Sequence, residues 1–317
     1  MERVRWIYGE LRWGVIRCLH VLTKKYFLDD TRYGNNELYS AQDGNDRLYE
    51  LILGNQPFAF CRFSFVEYDL MIRCKTQEYF GIRTYIGKKH IVNMYKIEGD
   101  KNKYLGINLF NSIMLEALDN ADIIGIWRNL PMGDVYIDTV KGIDKKYLVH
   151  ATAVEPYIFH TPWSKALQGK KVLVVSPFSK EIRQQYQRRE YLWDNKETLP
   201  QFELKTVDSV WYFSNCRDER FSNWFEALDY LYLEIMKEEF DIALLGCGPF
   251  GFPLASKIKL AGKQAIHMGG AIQLLFGIKG KRWDNTNISN FYNNYWIRPG
   301  EDTKPLDSDK LDQNCYW

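Results

Sequence analysis

Apolar residues along this chain fall into short unbroken runs separated by stretches of helical spacing, and that alternation sets the expected architecture. Pro57 to Phe63 (PFAFCRF) is apolar almost throughout and ends at polar Ser64, as a strand buried on both faces does. Val66 to Arg73 then has a helical pattern, while residues 75–104, rich in Lys, Gly and Tyr, predict loops or short edge elements. Ile107 to Leu118 (INLFNSIMLEAL) is helical in period and leads into a second apolar strand, Ala121 to Trp127 (ADIIGIW). Arg128 to Gly133 (RNLPMG) is loop chemistry at that strand's carboxyl end.

From residue 160 the alternation becomes regular. Thr161-Pro162 caps a short helix reaching Leu167, and Lys171 to Val175 (KVLVV) is a strand ending in Ser176-Pro177-Phe178. A charged helix runs from Lys180 to about Trp193, followed by a strand at Phe202 to Val207. Trp224 to Glu239 is an amphipathic helix with Trp224, Leu228, Leu231 and Ile235 on one stripe. Strand 241–245, helix 253–261, strand Gln264 to His267 and helix Ala271 to Phe276 complete the series. Strands alternating with crossover helices predict an α/β, Rossmann-like fold with a mainly parallel sheet and helices on both faces.

Three regions are expected: an amphipathic helical segment over 1–30, one α/β domain over 31–283 whose halves meet near residue 160, and an irregular tail over 284–317. Six aromatics in the tail (Phe291, Tyr292, Tyr295, Trp296, Tyr316, Trp317) predict that it packs on the domain. In the first segment Leu11, Val15, Leu19 and Leu22 share one helical face, with Arg3, Arg5, Arg12, Arg17, Lys24 and Lys25 around it. Such a helix usually serves a core, so the first expectation is packing on its own domain or on another subunit. The alternative is peripheral contact of residues 1–28 with an anionic membrane. No run of 18 apolar residues predicts a spanning helix, and the start lacks the long uncharged core of a signal peptide. The expected location is therefore cytoplasmic, with the inner face of the plasma membrane as the peripheral alternative.

Charge and composition narrow the classes further. Forty-two basic against forty acidic residues give a net charge of +2, which provides no electrostatic footprint for nucleic acid. The 10 Trp, 21 Tyr and 18 Phe suit either a large core or a sugar-stacking cleft. The six cysteines (18, 61, 74, 216, 247, 315) show no metal-ligand spacing and read as reduced thiols.

Candidate chemistry gathers at strand ends. Gly246-Cys247-Gly248-Pro249-Phe250-Gly251 matches GxGxxG between a strand and a helix, a turn whose amides can approach a phosphate at a helix start. A dinucleotide or S-adenosylmethionine site would also need an acidic residue at the end of the next strand, where His267-Met268-Gly269-Gly270 stands instead. The plainer reading of these glycines is tight strand-to-helix packing. The second turn is followed by Gln273 and by Lys279, Lys281 and Arg282, cations that suit a diphosphate if they share the crevice. Ser176 at a third strand end is a further candidate. In the first half, Arg62-Phe63-Ser64-Phe65-Val66-Glu67 places a charge at a strand end, with Glu67 at the start of a helix on the same rim. Glu67 suits a carboxylate acting on a sugar hydroxyl, a metal ligand, or a salt-bridge partner for Arg62. His150, His160, Glu155 and Asp134 lie near strand or loop ends without a role attached, and His20 and His90 read as structural.

With both motifs in hand, the sequence resembles the GT-D-fold glycosyltransferases of bacterial surface-glycan and glycoprotein pathways. Those proteins carry an early Arg-Phe-Gly-Asp-Gly-Glu motif, a late Gly-Pro turn and a Gln-Ala-(Ile/Leu)-Asp-Ile-Gly strand end. Here Arg62, Phe63 and Glu67 match the first, with Phe65 replacing its Asp and Val66 its second Gly. Gly248-Pro249 matches the turn, and Gln264-Ala265-Ile266 with Gly269 the strand end, with His267 replacing its Asp. The resemblance implies a nucleotide-sugar donor, a glycan or glycoprotein acceptor such as capsule-type polysaccharide, and Glu67 central to donor binding and catalysis. It brings a divalent metal, Mn or Mg, into question through the lost Asp, with Glu67 the remaining ligand. Arg62, Ser64, Ser176, Gly246, Gly248, Pro249, Phe250, Gly251, His267, Gly269, Gly270, Gln273, Lys279, Lys281 and Arg282 are the expected donor-binding set, with Trp127, Trp283 or Trp296 as stacking partners. A non-catalytic nucleotide or sugar-phosphate binding protein, and an NAD- or S-adenosylmethionine-dependent enzyme, stay open beside it.

Overall fold

A computed structural model of the chain describes residues 1–26, 28–81, 103–213, 216–304 and 315–317. His90 and most of the stretch 75–104 lie outside the described residues; 75–80, expected as loop, instead continue a helix.

Seven strands form one sheet, parallel throughout: β1 Phe58–Arg62, β2 Ile123–Ile126, β3 Tyr147–His150, β4 Lys171–Ser176, β5 Glu203–Asp208, β6 Ile242–Leu245 and β7 Gln264–His267. Their order across the sheet is β3-β2-β1-β7-β6-β4-β5, so β1 from the first half lies beside β7 from the second. The helices among the described residues are α1 Glu2–Thr23, α2 Ala41–Leu53, α3 Phe65–Phe80, α4 Lys103–Asn120, α5 Gly133–Ile137, α6 Ser179–Tyr186, α7 Trp224–Met236, α8 Gly251–Leu260 and α9 Ala271–Leu275.

The continuous apolar runs are explained by burial on both sides. Alternate residues of one strand feed opposite cores: Ala59, Cys61, Leu173, Val175, Ala243 and Leu245 face one, and Phe58, Phe60, Val172, Val174, Ile242 and Leu244 the other. The first core is closed by α1, α3, α4, α7 and α8, with Trp13, Phe110 and Trp224 among its largest members. The second is closed by α2, α6 and α9 and by the tail, whose Trp296 and Trp317 are buried in it.

Helix α2 and strand β3 were invisible to the hydrophobic pattern, as was the short α5. Helix α2 opens with seven polar or small residues, and small Gly44 and polar Asn45 supply part of its buried face. A Cβ at Gly44 would come within 2.5 Å of Ala153, so the helix approaches the chain after β3 closely. Asn45 accepts from the Trp163 amide at 2.8 Å and donates to Thr161 O, replacing apolar contact with hydrogen bonds. The helix start is fixed by a capping box between Ser40 and Asp43. Strand β3 is four residues long at the sheet edge, too short for alternation to announce it. The expected helices at 180–193 and 161–167 shrink to α6 with a 3₁₀ turn at Arg189–Tyr191, and to a 3₁₀ turn at Trp163–Leu167.

Helix α1 packs, but not through the face its leucines suggest. Trp6, Gly9, Trp13 and Ile16 are the buried positions, whereas Leu11, Val15, Leu19 and Leu22 point outward. Trp13 Nε1 donates to Asp134 Oδ1 at 2.7 Å, Arg12 pairs with the same carboxylate, and Tyr79 OH donates to Glu2. Asp134 is thus an anchor for α1.

Candidate functional site

The loops after β4, β5, β6 and β7 all open at the carboxyl edge of the sheet. The chain leaves β6 into α8 on one face, while β4 and β7 lead into α6 and α9 on the other. Diverging loops of this kind leave a crevice between them. Its walls are Ser176 to Phe178, Ser209 to Trp211, Gly246 to Phe250, and Gly269-Gly270 with Ile272 and Gln273, closed on one side by Tyr316 from the tail. The structure therefore brings Ser176, Gly246, Gly248, Pro249, Phe250, Gly269, Gly270 and Gln273 together, as expected for turns at neighbouring strand ends.

The glycines divide by role. A Cβ on Gly246 would lie 2.2 Å from Ile272, and one on Gly251 would lie 2.2 Å from the His267 ring, so both positions serve close packing. Gly248 is different: its φ is +57° and open space surrounds the position of a Cβ. It alone among these three glycines is required for its backbone conformation. Many turn amides are already engaged. Gly246 donates to Val175 O at 2.8 Å, Phe250 to Cys247 O and Gly251 to Gly248 O, while Met268 and Gly269 both donate to Leu245 O. Pro249 has no N–H to offer. Fewer main-chain donors face the crevice than the spacing suggests, so the cradle for an anion must draw on side chains.

Arg62 lies directly beneath the second turn. Its Nη2 donates to Met268 O, and a Cβ on Gly269 (φ +58°) would come within 2.5 Å of that nitrogen. Its Nη1 stands 3.6 Å from Glu155 Oε1, and the guanidinium lies 5.7 Å from the centre of the Trp127 ring. The partner of Arg62 is therefore Glu155, not the Glu67 considered as its salt-bridge mate. Burial lowers the Arg62 pKa and the Glu155 carboxylate opposes it; burial raises the Glu155 pKa, with Arg62 holding it back. The sequence signal for Glu155 was only its place after a strand end.

Several expected ligands face elsewhere. His267 is buried against Gly251, and burial together with the nearby Arg62 charge pushes its pKa down to about 3. It is a neutral packing group rather than a phosphate contact. Lys279 is half-buried, with Nζ 5.3 Å over the Tyr292 ring, and Lys281 is exposed outside the crevice lining. Only Arg282 of that trio reaches the rim, its guanidinium 4.5 Å over Tyr316 and 3.6 Å from where a Gly270 Cβ would lie. Trp283 packs beside Gly270, but Trp296 is buried with Nε1 donating to Leu192 O, which removes it as a stacking residue. Ser64 is exposed at the N-cap of α3, and Glu67 is buried in that helix's first turn, outside the crevice lining.

Sequence reasoning missed Trp211 and Tyr316. The first follows β5, and the rule that loops after parallel strands line the crevice would have found it. Tyr316 is brought from the tail, where Gln273 Nε2 donates to its carbonyl at 2.8 Å, and no local pattern signals that. Gln273 Oε1 is buried and accepts no hydrogen bond from a described residue. Cys247 also lines the crevice, but burial pushes its thiol up to about 12, so it is no thiolate nucleophile.

The described residues do not fit a divalent-metal site. Phe65, which precedes Glu67 by two positions, is apolar and offers no ligand, Glu155 is engaged by Arg62, and among the described residues no three His, Cys, Asp or Glu side chains converge.

An open parallel sheet with its crevice at the carboxyl edge defines the class as a Rossmann-like α/β fold. Within it, the chain belongs to the GT-D-like family: the GT-D fold-like domain matches residues 80–275, more than half of the sequence. That span includes both glycine turns and the Gln264-Ala265-Ile266 strand, and leaves Arg62 to Glu67 outside. Among solved structures, a domain-of-unknown-function 1792 protein described as having a distinct glycosyltransferase fold is 16% identical over 73% of this chain and 77% of its own, with a TM-score of 0.43. A new glycosyltransferase (DUF1792) from Streptococcus sanguinis is 14% identical over 87% of this chain and 98% of its own, with a TM-score of 0.39. No curated protein matches the sequence.

Proposed function

We propose that the protein is a glycosyltransferase that takes a sugar from a nucleotide-sugar donor and passes it to a glycan or glycoprotein acceptor. The observation that carries this is the crevice itself, where two glycine turns meet aromatic walls in a chain of the GT-D-like family. The lining is mainly apolar, with Trp211, Phe178 and Tyr316 beside Ser176, Ser209 and Gln273. Such a surface suits a base or sugar ring, with Gln273 Oε1 as an acceptor for its N–H or hydroxyl groups. The enclosed volume is about 100 Å³. That is below the roughly 300–1,000 Å³ of pockets for whole ligands, so the donor extends over the rim.

At the rim the diphosphate lies near Arg282, with the Gly248 and Gly269 turns beside it and Arg62 behind. Guanidinium groups there stabilise the charge that develops as the nucleotide leaves. Glu67 is assigned the acceptor hydroxyl from its motif and its place just after β1. Catalytic contacts commonly close only around substrate, and this one has to, since Glu67 is buried here. No step of this chemistry runs through a metal.

A panel of UDP-, GDP- and CMP-sugars, followed by thermal shift with and without Mn²⁺, tests ligand class and metal use together. One donor class should raise the melting temperature without metal, Trp211→Ala should abolish the shift, and Glu67→Gln should cut turnover by about 10²-fold or more. Silence across the panel would remove the proposal. Ligand binding with no turnover, indifferent to Glu67, would instead establish a non-catalytic nucleotide or sugar-phosphate binding protein, a reading favoured by the exchange of the motif Asp for Phe65. An NAD or S-adenosylmethionine enzyme is not favoured, because the end of β7 carries buried His267 where those sites hold an acid.

A further inference from the structure

Helix α1 has two apolar faces, and the fold uses one. Trp6, Gly9, Trp13 and Ile16, spaced by three and four residues, are buried against α5 and the first core. On the opposite side Val4, Ile7, Leu11, Val15, Cys18 and Leu22 recur with the same helical spacing and form a second stripe. Val4, Ile7, Leu11, Val15 and Leu22 are between 51% and 79% exposed, and Tyr8, beside them, is 69% exposed. No charged residue interrupts the stripe along the length of the helix. An exposed apolar surface of this extent on one element marks a binding face rather than scattered surface residues.

The charges around the stripe identify its occupant. Arg3 and Arg17 border one edge with Glu10 between them, Arg5 lies toward the other, where Arg12 is held by Asp134, and Lys24 and Lys25 follow the last turn. Glu2 and Glu10 are the acidic residues of the helix, and Glu2 accepts from Tyr79 OH on the inward side. Apolar side chains flanked by basic ones match the layering of an anionic bilayer surface, acyl chains beneath phosphate headgroups. A second copy of the chain would set like charges against each other across the same face, which disfavours pairing. No described helix is long and apolar enough to cross a membrane, so the contact would be in the interface plane. We infer that α1 is a peripheral membrane anchor: its inward tryptophans hold it to the domain while its outward stripe lies in the headgroup layer of an anionic membrane. This inference rests on the geometry of α1 and not on the proposed activity, so its test is independent of that activity.

The full chain is mixed with vesicles of pure phosphatidylcholine, or of equal parts phosphatidylglycerol and phosphatidylcholine, and then sedimented. The expected result is pelleting with the mixed vesicles alone, weakened by added salt. Leu11→Glu combined with Val15→Glu should lower the bound fraction about tenfold, and Arg3→Glu with Arg17→Glu should do so at low salt. All four side chains are exposed, so thermal unfolding should match that of the unaltered chain; if the first pair alters it, Leu22→Glu in the last turn replaces that pair. Absence of pelleting with anionic vesicles overturns the inference, as does pelleting unchanged by the glutamates. A dimer on a sizing column that the same glutamates convert to monomer would assign the stripe to a second copy instead.

Discussion

His267 shows how one side chain can change meaning between sequence and structure. It ends β7 where a dinucleotide-binding sheet carries a ribose carboxylate, yet its ring fills the space left by Gly251 and lies near the Arg62 charge. Burial and that charge depress its pKa from an ordinary 6.5 to about 3. A depressed pKa means that the neutral ring's stabilisation is fully present above the unfolded value and is lost as pH falls toward the folded one. Between pH 7 and pH 5 the loss from this group amounts to about 2 kcal/mol. Glu155 acts in the opposite sense, since its raised pKa favours the folded state at low pH. Comparing the chain with His267→Gln isolates the histidine. Urea unfolding at the two pH values should show the variant losing about 2 kcal/mol less stability on acidification. An equal loss in both proteins would mean that the ring titrates normally.

At the scale of elements, the turn from β6 to α8 carries the clearest division of labour. Gly251→Ala drives a methyl group into the His267 ring and should cost about 2–3 kcal/mol of stability. Gly248→Ala meets no neighbour and costs only the left-handed backbone penalty, about 1 kcal/mol. Chemical denaturation of the two variants measures that difference, and the opposite ranking would show that the turn is not packed as described. Donor binding should respond in the reverse order, because Gly248 lines the crevice and Gly251 lies behind it. These elements also show what periodicity can reveal. Strands β1, β2, β4, β6 and β7 were legible because burial on both faces demands unbroken apolar runs. Helix α2 was not, since Gly44 and Asn45 occupy buried positions that the pattern expects to be apolar.

Across the whole molecule, α1 belongs to the domain's core as well as to its surface. Trp13 is fully buried and hydrogen-bonded to Asp134, so Trp13→Ala should lose about 3–4 kcal/mol. A lowered denaturation midpoint would check this, and a neutral effect would mean that α1 docks loosely. Deleting residues 1–28 would strip Trp6 and Trp13 from that core as well as the outward stripe, which is why point changes on the stripe are the cleaner probe of membrane contact.

The crevice shows the boundary between local and tertiary information. Sequence by itself determined the α/β alternation, the parallel sheet and the glycine turns at strand ends, because burial period and backbone freedom are properties of neighbouring residues. Only the tertiary structure decided that β1 lies beside β7, bringing Arg62 to a carbonyl 206 positions away, and that Glu155 rather than Glu67 faces its charge. It likewise decided that Lys279 and Lys281 stay outside the crevice while Trp211 and Tyr316 line it. The outward face of α1 was settled in the same way. Both of its faces are apolar in sequence, and the one packed is the one whose tryptophans and glycine fit α5. Those choices depend on strand order and on shape across long separations, which no local pattern of residues encodes.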